Sequence, residues 1–155
     1  MWRALCGKLP TNERIIKFGR EAAQCSCCYS PGEDTIDHIF ATGHFANNIW
    51  RFFSAATGLQ HEHSTIHTLL QKWRNRAQAT EVQKLATRLL PVIILWNLWK
   101  NRCAAKYKAK QSNTARVKFL IVKDFNNFLN TAYPYIEWME LSYRNGGKLQ
   151  TCYYG

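Results

Sequence analysis

Apolar residues recur along this chain at steps of three and four, the period of a helix face rather than of a strand. The clearest run is Val117, Leu120, Ile121, Phe125, Phe128, Leu129 and Ala132, which predicts one amphipathic helix closed by Tyr133-Pro134. Ala46, Ile49, Trp50 and Phe53 trace a second face that Gly58 ends, and Ile66, Leu69, Leu70 and Trp73 trace a third. Thr80 with Gln83 has the form of a capping box. The helix it opens runs through Val82, Leu85 and Leu89 to about Tyr107, with Pro91 expected to kink or divide it. Two shorter helices are expected earlier. One covers residues 12–23 around Ile15, Ile16 and Phe18; the other carries Ile36, Ile39 and Phe40, with Asp34 as its cap, Asp37 in its first turn and Gly43 as its break. Trp96 and Trp99, three apart inside an apolar run, are read as packed. No segment shows four or more strict apolar/polar alternations between turn signals. The fold class is therefore mostly α: a small Cys/His loop–helix element followed by a basic helical bundle.

Length and charge refine that picture. A chain of 155 residues suits one domain with an appendage and can bury a real core. The net charge of +11 is concentrated: residues 68–123 hold thirteen of the 21 basic residues and one of the 10 acidic ones, Glu81. The composition shift near residue 60 divides the chain into a mixed-charge, Cys/His-containing part over 1–59, a basic helical part over 60–133, and a loose tail over 134–155 with Gly146-Gly147. A basic stretch of this kind points to a polyanion, with nucleic-acid backbone the first candidate. The residues placed for it are Lys100, Arg102, Lys106, Lys108, Lys110, Arg116 and Lys118, which follow the apolar run. The longest apolar run, Leu89 to Trp96, is eight residues, far short of the roughly 20 that a membrane span needs. With no apolar leader at the start, an intracellular setting is expected, nucleus and cytoplasm both open. The six cysteines then read as thiols or metal ligands rather than as a disulfide framework.

Chemistry concentrates near the start. Cys25-x2-Cys28 lies in a turn-rich loop, and His38 follows ten residues later on a helix. Two thiolates on a tight loop with an imidazole from a helix is how small zinc sites are assembled. Cys27, adjacent to Cys28, is expected to point away from the same ion. A tetrahedral site needs a fourth ligand, for which His44 is the candidate. A second histidine group, His61, His63 and His67, reads as a solvated connector.

The order Leu9-Pro10-Thr11-Asn12-Glu13-Arg14, Cys25-x2-Cys28, Glu33-x-Thr35-x2-His38-x-Phe40 and Trp50 resembles the zinc-binding region of plant non-LTR (LINE-type) retrotransposon reverse transcriptases. The likeness covers roughly residues 2–58. Leu90-Pro91 with Trp96-x2-Trp99-Lys100-x-Arg102 resembles the connector that follows, ahead of ribonuclease H, in such polyproteins. The resemblance implies zinc held by Cys25, Cys28 and His38. The family's fourth cysteine falls at position 43, which is Gly here, leaving His44 or a water to complete the site.

Catalysis is not expected. No Walker-type loop is present and nothing orients a serine triad. The acidic group Glu33, Asp34 and Asp37 lies at a helix start rather than around a two-metal site. The expected function is a non-catalytic, zinc-binding accessory module of a retroelement-derived reverse transcriptase. It would contact RNA or DNA backbone without reading sequence, and polymerase or ribonuclease H domains of a related polyprotein are further expected partners. The alternatives are a zinc-free helical spacer or protein-interaction module, and a decayed retroelement fragment without selected function.

Overall fold

The computed structural model describes residues 6, 8–11, 15, 24–28, 34–60, 64–76, 81–132, 134, 141–142 and 150–151. The expected helix over 12–23, the Pro31-Gly32 turn, Thr80, His61 and His63 lie outside these residues, apart from Ile15.

The described elements are mostly helical. A short π-helical turn, His38–Thr42, precedes four α-helices: α1 His44–Thr57, α2 Ile66–Arg74, α3 Glu81–Lys108 and α4 Thr114–Ala132. In the tail, β1 Leu141–Ser142 pairs antiparallel with β2 Gln150–Thr151.

Capping at the π turn differs from the sequence expectation. Thr35, not Asp34, accepts the His38 N–H at 3.0 Å. Asp34 is buried elsewhere, and Asp37 Oδ1 accepts the Ile66 N–H at 2.8 Å, tying the start of α2 to this turn. Gly43 leaves the helical region with φ −60°, ψ 145° and supplies the N-cap position of α1. Gly58 closes α1 at φ 69°, where a side chain would be strained, and Leu59 N–H returns to Ser54 O at 2.8 Å.

Pro91 does not divide α3: the helix is continuous over 28 residues, about 42 Å at 1.5 Å per residue. Pro91 is itself buried, so packing offsets the missing backbone bond. α3 is the central element, packed along α4 and touching α1, α2 and the π turn. Ile94, Leu95 and Leu98 of α3 meet Val117, Ile121, Phe125 and Leu129 of α4 in one core that also takes in Ile49, Trp50, Phe53, Ile66 and Trp73. Aromatic contacts fix the angles between elements. Trp50 donates its Nε1–H to Phe40 O at 2.6 Å and meets Trp73 edge-on at 5.7 Å, while Phe40 stacks on Trp99 at 6.1 Å.

Trp96 is the exception to the expected packing. Half of it is exposed, with Val92 beside it one turn earlier, because the buried stripe of α3 runs through Leu90, Ile94, Leu98 and Arg102 instead. No helix of the described residues is long and apolar enough to cross a membrane.

Candidate metal centre

The Cys loop is a tight turn through Ser26 and Cys27. It is stabilised by the Cys27 N–H on Cys25 Sγ at 3.5 Å, and it directs Cys25 and Cys28 toward His38. The π turn starts at His38, so its wider backbone carries that imidazole against the loop. The ligand atoms of Cys25, Cys28 and His38 all lie within 4.8 Å of one another. In a tetrahedral zinc site such atoms sit about 3.4–3.8 Å apart, given bonds of about 2.3 Å to sulfur and 2.0 Å to nitrogen. A contraction of an ångström or so therefore closes the site.

The surroundings suit a metal. His38 Nε2 is buried and has no hydrogen-bond partner among the described residues, the state of an imidazole nitrogen awaiting a ligand. Hydrogen bonds from the Cys27 and Cys28 thiols pull the Cys25 thiol below the ordinary thiol range. Cys28 is pushed up by sharing its proton with Cys25 and by burial, while the N–H groups of Phe45 and His44 at the start of α1 pull it the other way. Those N–H groups would stabilise a Cys28 thiolate once a cation replaced the proton.

The fourth position departs from expectation. A Cβ on Gly43 would run into the His38 carbonyl oxygen and lie 2.9 Å from His38 Nε2. The π turn thus closes over this position, and a cysteine there requires the backbone to move. His44, the expected candidate, is exposed and lies outside the cluster of three. Cys27, expected to point away from the ion, stands outside the cluster of three, though it lines the same cavity as Cys25, Cys28 and His38. The described cysteines are all free.

Residues 1–50 match the family model described as zinc-binding in reverse transcriptase. That span contains all three clustered ligands and ends at Trp50. No curated protein and no solved structure matches the chain. The match supports a reverse-transcriptase zinc-binding region at this end of the chain, and the donor set of two cysteines and one histidine fits zinc.

The expected nucleic-acid residues are spread over several environments. Arg102 is not at the surface. It is 1% exposed, donates to Asp34 Oδ2 at 2.6 Å and to Pro10 O at 3.1 Å, and lies over the Trp99 ring. Burial draws its pKa down, but the Asp34 carboxylate outweighs that and keeps the guanidinium charged. Its place on the buried stripe of α3 removes it from phosphate contact. Lys100, Lys108 and Lys110 are exposed, Lys100 with an ion pair to Asp124 at 3.2 Å. Lys106, Arg116 and Lys118 are half-buried; Arg116 reaches Asn101 Oδ1 at 3.4 Å and Lys118 lies over the Phe52 ring at 4.8 Å. Sequence periodicity missed the exposed stripe Arg88, Val92, Trp96 and Lys100, whose steps of four were visible.

Proposed function

We propose that the chain is a non-catalytic, zinc-binding accessory module of a reverse transcriptase of the plant non-LTR type, acting inside the cell. The observation that carries this reading is the cluster of Cys25, Cys28 and His38, with its buried and unpartnered imidazole nitrogen, inside the matched span. Zinc bound there supplies a structural cross-link between the Cys loop and the π turn. Cys25 and Cys28 hold the loop side, His38 holds the helix side, and Leu98 and Arg102 of α3 wall the cavity. The metal end and the helical core are thereby brought to one place.

The exposed cations Lys100, Lys108 and Lys110, joined by Lys106, Arg116 and Lys118 where they reach solvent, form the face that contacts RNA or DNA backbone. If about five phosphates are neutralised, affinity falls with salt at a log–log slope of roughly −3.5 to −4.5. Elemental analysis of the purified protein tests the metal half, with about one zinc per chain expected and none in Cys28→Ser. Titration of single-stranded RNA and duplex DNA at several salt concentrations tests the other half, and a flat salt response rejects it.

A second reading has its own observation. Val92, Trp96, Phe119 and Phe128 are large apolar residues left exposed on α3 and α4, as a helical module docking onto a polymerase or ribonuclease H domain would have them.

A further inference from the structure

The zinc reading leaves a vacancy in the ligand set, because position 43 carries no side chain and His44 faces solvent. We propose that Cys27 supplies the fourth ligand, giving this chain a three-cysteine, one-histidine site in place of the arrangement that uses residue 43. The proposal rests on the zinc reading and goes beyond it in the identity of the ligands.

Two observations converge on Cys27. First, it lines the cavity that Cys25, Cys28 and His38 line, although its sulfur stands outside the cluster of those three. Second, its sulfur already receives a hydrogen bond of the kind that steadies a metal-bound thiolate: Asn101 Nδ2 of α3, itself buried, approaches at 3.5 Å. On binding, the Cys27 S–H bond breaks, its proton goes to solvent, and the sulfur bonds the metal.

The test uses the full chain loaded with cobalt(II) in place of zinc, together with zinc competition against a chelator. Wild-type protein should show the sulfur-to-metal charge-transfer intensity of three thiolates in a tetrahedral site. Cys27→Ser should show that of two, and should lose more zinc affinity than the roughly 10–100-fold that removal of an outer hydrogen-bonding partner costs. His44→Ala should leave spectrum and affinity unchanged. Two-thiolate intensity in the wild type, or an unaltered spectrum in Cys27→Ser, overturns the assignment of Cys27 while leaving the zinc reading intact. Loss of metal in His44→Ala overturns it in favour of His44. Absence of any metal in the wild type overturns both. Should Cys27→Ser fail to fold, the wild-type intensity alone decides.

Discussion

The metal end and the α3–α4 pair are stabilised by different physics. Between α3 and α4, Ile94, Leu98, Ile121 and Phe125 are apolar and almost wholly buried, so the pair is held by area removed from water. Around Cys25–Thr42 the buried apolar residues Ile39, Phe40 and Ala41 are joined by polar or chargeable groups: thiols, an imidazole with a buried, unpartnered nitrogen, and the Arg102–Asp34 ion pair. Apolar packing is stable whatever the solution holds. A polar cavity is stable only when its charges and donors are matched, so if zinc is bound there the metal end should depend on it.

The largest effect should come from removing that ion. Chelation, or His38→Ala, should abolish amide-exchange protection over residues 24–42 while α3 and α4 keep theirs. In small finger peptides zinc is worth about 10–16 kcal/mol, an upper limit for a site that leans on a core. Acidification should do the same reversibly, since thiols and imidazole must lose protons to bind; zinc retention should fall as pH falls. Equal loss of protection in both regions would mean that no such division exists.

Next is the link between the two regions. Asp34→Ala leaves the Arg102 guanidinium buried without its carboxylate and should cost about 3–5 kcal/mol in urea unfolding. Replacing both by apolar residues, Asp34→Leu with Arg102→Met, should recover much of that loss, because an unpaired buried charge is the main cost.

A smaller effect is expected from Trp50→Phe, which keeps the apolar face but removes the Nε1–H bond to Phe40 O. The unfolding free energy from denaturant titration should fall by about 1–2 kcal/mol. The smallest is a gain. Ala109 holds φ 47° where α3 ends, so Ala109→Gly should stabilise by about 1 kcal/mol in thermal unfolding, with metal content unchanged.

The helices were legible in the sequence where one face is apolar. The run from Val117 to Leu129 and the set Ala46, Ile49, Trp50, Phe53 both became buried faces, and Gly58 ended α1 as its left-handed conformation requires. Pro91 does not divide α3, because a local rule about one missing backbone bond ignores the packing around it. Trp96 and Arg102 misled together. In a long helix, residue type alone does not settle which stripe is buried, and here an arginine lies inward and a tryptophan outward. Asp34 was read as a cap because its partner, 68 residues away, is invisible to local pattern.

The sequence by itself determined the helical class, the concentration of basic charge in one stretch and the pairing of Cys25-x2-Cys28 with His38, because periodicity, composition and ligand spacing are local properties. Only the tertiary structure decided that position 43 is closed by the π turn, that His44 faces solvent, and that Cys27 and Arg102 meet the other cysteines around one cavity. Those facts depend on the orientation of side chains carried by elements far apart in the chain, which is fixed by packing and not by any neighbouring residue.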